Sequence, residues 1–169
     1  MIGYVPQEHI LFSKSVKDNI VFGKRNATLS DIERAIETAA FSEDLKRMPD
    51  GLETLIGERG VSISGGQKQR ISLARAFIRQ PEVLILDDSL SAVDAQTERR
   101  IIQNIQKLRA NQTTIIVTHR LSAIQQADWV LVLEGGQIIE EGTPNQLLNK
   151  GGWYAEQYQR QQHQKGGSE

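Results

Sequence analysis

No cysteine occurs in the 169 residues, and that absence excludes disulfide scaffolds, thiolate zinc sites and thiol nucleophiles together. An excess of one charge is missing too: 20 Lys and Arg stand against 21 Asp and Glu, a formal net charge of -1. No overall field is present to hold a nucleic-acid backbone, so nucleic acid is not expected as a partner. There is no uninterrupted apolar run of about 18 residues, hence no expected membrane span. Met1 to Gln7 lacks the features of a signal peptide, and a cytoplasmic setting is expected. What is present is 38% hydrophobic residues, enough to bury a core in about one compact domain. A strand-like Ile2-Gly3-Tyr4-Val5 runs straight from Met1 with no leading helix or linker.

Four segments carry consecutive apolar residues, the pattern of strands covered on both faces in a parallel sheet. They are Ile2 to Val5, Val83 to Leu86, Thr114 to Val117 and Trp129 to Leu133. Helical patterns lie between them, so βαβ logic applies. Gly135-Gly136 offers a turn into Gln137 to Glu140, a hairpin partner at the sheet edge. From Glu8 to about Gln80 several helices and no buried strand are expected. Ser30-Asp31-Ile32-Glu33 reads as a capping box opening a helix through Ala40, with Ile32, Ala35, Ile36 and Ala39 on one face. Val16 to Val21, Glu43 to Met48 and Gly66 to Ile78 read as further helices, and Pro81 as a stop. A last helix from Trp153 to about Arg160 runs into a polar, glutamine-rich stretch expected to fray.

Three of the strands lead at their carboxyl ends into polar residues: Val5 into Gln7, Leu86 into Asp87 and Asp88, Val117 into Thr118 and His119. Ligands of open α/β sheets bind at that edge, and an amide, two carboxylates and an imidazole suit a metal-bound phosphate. Singly, each has a plainer explanation, since a carboxylate after a strand is often only a helix cap. Ser64-Gly65-Gly66-Gln67 opens a long helix with an N-cap serine and two residues without side chains, so free N–H groups and the positive dipole end face outward. On Ser-Gly-Gly alone, an ordinary helix start would suffice.

Together these residues resemble the ATP-binding cassette (ABC) ATPases. Ile63-Ser64-Gly65-Gly66-Gln67 is similar to the signature motif, Pro6-Gln7 to the Q-loop and Val83-Leu84-Ile85-Leu86-Asp87 to the Walker B strand. Ser91-Ala92-Val93-Asp94 is similar to the D-loop and His119 to the switch histidine. The five motifs stand in family order across about Ile2 to Tyr158. Leu55-Ile56-Gly57-Glu58-Arg59-Gly60 resembles the X-loop of exporter-type cassettes, which in that family lies against the transmembrane domains. The long coiled coils of chromosome-maintenance ATPases have no room here, because only 56 residues separate Gln7 from Ser64 and no heptad array is present. The X-loop likewise disfavours translation-factor cassettes.

The resemblance implies an α/β fold, the parallel RecA-like sheet of P-loop NTPases, N-terminally incomplete and with an inserted helical subdomain. It implies a partial ATP-binding domain over residues 1–158: a RecA-like part at 1–7 and 81–150, a helical subdomain at about 8–80, and a flexible tail at 159–169. ATP and Mg²⁺ are the implied ligands. Asp87 would hold Mg²⁺, Gln7 would meet the Mg²⁺ and the attacking water, and His119 would donate to the γ-phosphate. Ser64, Gly65, Gly66 and Gln67, with Asp94, would serve a nucleotide shared with a second ABC nucleotide-binding domain. The implied function is the ATP-hydrolysing component of an exporter, at the cytoplasmic face of the membrane beside a transmembrane domain.

Two departures stand out. Asp88 occupies the place where the family usually has the glutamate that polarises the attacking water, and its side chain is shorter by about 1.5 Å, a loss of reach that can cost orders of magnitude in rate. In this it resembles the degenerate-site half of heterodimeric exporters. Second, no Gly-x-x-x-x-Gly-Lys-Ser/Thr occurs; Gly23-Lys24 is followed by Arg25 and lacks the upstream glycine. The phosphate loop and the adenine-stacking aromatic would lie upstream of Met1, and the isolated chain is expected to bind Mg-ATP weakly. A non-catalytic module that dimerises with or regulates a complete cassette is the other class this pattern leaves open.

Overall fold

The computed structural model describes residues 1–58 and 60–166, with side chains described through residue 163. It forms two compact units, Met1–Thr118 and His119–Glu169. In the first, β1 (Ile2–Val5), β2 (Val83–Asp87) and β3 (Thr113–Val117) make a parallel sheet in the order β1-β2-β3. Val5 stands beside Leu86, and Asp87 beside Val117. This register brings the three carboxyl ends to one edge.

The expectation of cover on both sheet faces is corrected. Val5, Leu84 and Leu86 are buried, while on the opposite side Ile2 is 68% exposed, Ile115 47% and Val117 52%. Alternating burial within a consecutive apolar run shows that the run alone does not report how many faces are covered.

Between β1 and β2 lie α1 (Val16–Val21), α2 (Leu29–Thr38), α3 (Ser42–Lys46) and α4 (Gly65–Phe77). Among the described residues this stretch holds only the isolated bridges Ser15 to Leu55 and Ile56 to Val61, as its helical patterning predicts. Helix α4 packs on α1, α2 and β1 through fully buried Ile71, Leu73 and Ala74. Ile32, Ala35, Ile36 and Ala39 are all buried, the face expected of α2.

The cap of α2 is not Ser30, however. Thr28 accepts from the Asp31 amide and Asp31 returns a bond to the Thr28 amide. The two candidate boxes are offset by two residues, and the Thr28 box prevails because Asp31 is also held at 2.8 Å by both Lys24 and Arg34. The Lys24 hydrogen bond, first among the causes, lowers the Asp31 carboxyl to about 2. Helix α5 (Ala95–Leu108) connects β2 to β3 and buries Ile101, Ile102 and Ile105.

In the second unit, β4 (Val130–Glu134) and β5 (Gln137–Gly142) form their own antiparallel ribbon, so the expected fourth strand of the parallel sheet is corrected. The turn through Gly135 and Gly136, both with positive φ, pairs β4 with its nearest neighbour in sequence, which consecutive apolarity could not specify. Helix α6 (Pro144–Lys150) opens with a Thr143–Gln146 capping box and ends on left-handed Gly151. Helix α7 (Trp153–Gly166) continues past the expected end near Arg160. Gln161 anchors the extension, donating to the His119 carbonyl at 3.0 Å and accepting from the Leu121 amide at 3.1 Å. The last three residues of the expected tail, 167–169, lie outside the described residues. Leu121, Val130, Val132, Leu147 and Tyr154 form this unit's core.

Candidate functional site

At the carboxyl edge of the sheet, Gln7 and Asp88 meet: the Gln7 amide Nε2 donates to Asp88 Oδ2 at 3.3 Å. Asp87 ends β2 beside it and accepts from the Tyr4 hydroxyl at 3.0 Å. That bond raises the Tyr4 pKa, because loss of the phenolic proton would set two anions together. The backbone at Asp88 is left-handed, with φ of 44°, a conformation aspartate tolerates better than most residues but still at a cost. It is enforced from both sides. The Asp88 amide donates to the Val117 carbonyl at 2.8 Å, and its own carbonyl accepts from the Ser91 hydroxyl at 2.9 Å. A strained, half-buried carboxylate is thus presented beside an exposed amide.

No cluster of three or more His, Cys, Asp or Glu side chains suited to a metal occurs among the described residues. Two adjacent carboxylates and a side-chain amide fit Mg²⁺ nonetheless, because this hard cation is usually held by one or two carboxylates plus substrate phosphates and water. The second hydrogen-bonding capacity of each group at this edge is consistent with that donor set.

Helix α4 begins as the sequence predicts. Ser64 is its N-cap, with Oγ accepting from the Gln67 amide at 3.2 Å and Gln67 Oε1 accepting from the Ser64 amide at 2.9 Å. The Gln67 side chain is occupied further, donating to Asp44 at 3.1 Å. Arg70 reinforces the same attachment through Asp44 at 2.6 and 3.1 Å and the Ala40 carbonyl at 3.1 Å. Gln67 is therefore a brace of the helix start, whereas the Ser64 hydroxyl keeps its own proton to donate.

The two glycines that follow differ. A Cβ at Gly66 would sit 2.9 Å from the Ala92 carbonyl, so this glycine is required by the chain's own packing. A Cβ at Gly65 would meet nothing nearer than 3.7 Å. Gly65 is exposed, and its missing side chain leaves space on the outward side.

Asp94 caps α5, its Oδ1 accepting from the Gln96 and Thr97 amides at 3.0 and 2.9 Å and its Oδ2 from the Thr97 hydroxyl at 2.7 Å. The Thr97 bonds lower its pKa. His119 is exposed and opens the second unit, two residues beyond β3. A groove of about 600 Å³ in the first unit is lined by His9, Ile10, Leu11, Val61, Ile63 and Lys68 among others, alongside Ile56, Gly57, Glu58 and Gly60 of the X-loop-like segment. Arg59 of that segment lies outside the described residues.

Sequence reasoning missed Tyr4, although the alternation of β1 places it on the same face as Asp87. It also missed the bracing of the segment after Gln7. Buried Asn19 donates to the Phe12 and Ser15 carbonyls, each at 3.0 Å, and accepts from the Phe12 amide at 2.9 Å. Arg75 of α4 donates to the Asn19 and Ile10 carbonyls at 2.8 and 2.9 Å and lies over the Phe12 and Phe22 rings. The two Arg75 hydrogen bonds join positions 56 and 65 residues apart, and no local spacing announces them.

The family described as ABC transporter matches residues 1–91, more than half of the chain. The chain belongs to the ABC transporter family. Over 161 residues, 95% of its length, it is 60% identical to the probable multidrug resistance ABC transporter ATP-binding/permease protein YheI of Bacillus subtilis, and it covers 28% of that protein. The ATP-binding cassette sub-family B member 6 of Xenopus tropicalis is 44% identical over the same share of this chain, which covers 19% of it. Among solved structures, a bacterial Atm1-family ABC exporter with ATP bound is similar with a TM-score of 0.88 and 38% identity, over 95% of this chain and 28% of that one. This ABC transporter chain thus spans less than a third of the relatives it matches. Its α/β architecture with a parallel sheet is that of the family. Among the described residues no helix is long and apolar enough to cross a membrane.

Proposed function

We propose that this chain is the larger part of an ATP-binding cassette that drives an exporter, lending its signature helix to a second cassette while hydrolysing ATP weakly at its own site. The observation that carries the reading is the meeting of Gln7 with Asp88 beside Asp87 at the carboxyl edge of the sheet. Likeness to an ATP-binding/permease protein and to an exporter with ATP bound supports it.

Asp87 offers a carboxylate for Mg²⁺, and Tyr4 orients that carboxylate by donating to one of its oxygens. When bound, the ion neutralises phosphate charge during phosphoryl transfer. Gln7 positions the attacking water and senses the transmembrane domain, which contacts the groove beside the X-loop-like segment. His119 donates an imidazole N–H to the terminal phosphate. Asp88 is the group placed to accept the water's proton, but its carboxylate is a methylene shorter than the usual glutamate, and Gln7 already draws on it. Reach decides general-base efficiency before pKa does, so this site is the degenerate one of a heterodimer.

The signature runs the other way, out of the chain. Gly65 has no packing reason to be a glycine, and the Ser64 hydroxyl has a proton to give, so together they suit the terminal phosphate of ATP held by the partner cassette. The protein would act at the cytoplasmic face of the membrane.

The test is ATP hydrolysis by the intact, assembled transporter. Gly65→Arg fills the outward space and is expected to lower turnover at least about a hundredfold, whereas Asp88→Ala changes it by less than about twofold. The reverse ranking would overturn the assignment.

A further inference from the structure

We propose that Gln69 is a positioning residue that locks the segment from Ser89 to Asp94 onto the start of α4, so that this chain's own site and the signature it offers outward move as one piece. The inference rests on the two-site reading above and adds the part that links the two sites. Gln69 is fully buried, an unusual setting for a carboxamide, which is costly to bury unless hydrogen bonded. Its Oε1 accepts from the Ala92 amide at 3.0 Å. The other side of the same residue is also held, because Gly66, one turn earlier on α4, packs against the Ala92 carbonyl so closely that a Cβ would sit 2.9 Å from it. Ala92 is gripped by its N–H and its C=O from a single helix.

The segment so gripped has little slack. Leu90 and Val93 are buried, the Ser91 hydroxyl returns to the Asp88 carbonyl at 2.9 Å, and Asp94 is fixed as the cap of α5. Any shift of Ala92 is therefore passed to Asp88 four residues before it, or to Ser64 five residues before Gln69. Leucine or methionine would fill the same space without holding the Ala92 N–H, so packing alone does not account for a carboxamide here.

The experiment compares Gln69→Leu with Gln69→Glu in the intact transporter. Leucine removes the acceptor oxygen and glutamate keeps it at the same reach. Gln69→Leu is expected to lower kcat about tenfold or more, leave KM for ATP within about twofold, and bring a Hill coefficient above one down to one. Gln69→Glu should hold kcat within about threefold of the parent. Amide exchange at Ala92 should quicken in the leucine variant while that of Leu73 and Ala74 on α4 stays slow. If Leu73 and Ala74 lose protection, the unbranched Gln69→Met takes leucine's place in the same comparison. Equal losses in the leucine and glutamate variants, or unchanged kcat and Hill coefficient beside quickened Ala92 exchange, would overturn the proposal. Absence of ATP hydrolysis in the parent transporter would instead bring down the two-site reading itself, before any substitution is made.

Discussion

Glu140 and Asp88 are carboxylates at or just beyond the carboxyl half of a strand, and they are held in opposite ways. Glu140 is 9% exposed, and its two oxygens accept from the Trp153 and Tyr154 amides at 2.8 and 3.1 Å, in the first turn of α7. It fills the place of a helix cap and interacts favourably with the helix dipole. Asp88 is half-buried on a left-handed backbone, and its carboxylate accepts from a side-chain amide at 3.3 Å. A carboxylate with both oxygens on the backbone of its own fold belongs to stability. One held so loosely on a strained backbone is available to a ligand.

The sharpest way to break this contrast is at Gly152, where a Cβ would sit 1.8 Å from Glu140 Oε1. Gly152→Ala must evict the carboxylate, and both it and Glu140→Ala are expected to cost about 2–4 kcal/mol in denaturant unfolding of the second unit, since bonds to a charged acceptor are lost in each case. The double variant should cost little more than either single one, because both remove the same interaction. Full additivity would break the account of Glu140 as a cap.

Next in size is Arg75→Lys. The guanidinium fork reaches two carbonyls and two rings, and burial lowers its pKa. Lysine cannot reproduce that geometry, and a loss of about 2 kcal/mol in the first unit is expected by thermal or denaturant unfolding. By contrast, Asp88→Ala gives up only a 3.3 Å bond to an exposed amide but sets alanine on a left-handed backbone, so a loss of about 1 kcal/mol, well below that of Glu140→Ala, is expected. A loss comparable to that of Glu140→Ala would erase the distinction between the two carboxylates.

The smallest effect is on pH. Asp31 is depressed to about 2 from the ordinary 3.8. Its contribution to the start of α2 is thus fully present above the unfolded value and is lost as pH falls from about 4 towards 2. A side-chain titration followed by NMR should place its midpoint well below that of an ordinary aspartate. An ordinary midpoint would mean that Lys24 and Arg34 do not hold Asp31, leaving the Thr28 cap no advantage over one at Ser30.

Legibility in the sequence followed the range of the interaction. Gln7, Asp87 and Asp88 could be placed at one edge because each ends its strand or stands within two residues of its end, and parallel register aligns the strand ends. Ser64 as an N-cap was equally local. The partner of β4 was not legible, because its apolar run is the same whether it pairs with a parallel sheet or with β5. Nor was the length of α7, where Gln161 reaches back about forty residues to anchor a stretch whose composition suggests fraying. Gln69 and Arg75 were invisible for the same reason: polar side chains inside helices become informative only when a distant backbone group is found against them.

On the proposed reading, the short side chain of Asp88 weakens this chain's own site while its signature serves another. The most direct measurement is steady-state ATP turnover of the intact transporter carrying Asp88→Glu, which restores the missing methylene. A rise of about tenfold or more is expected if reach is what limits the site. Turnover that stays the same or falls would contradict the account.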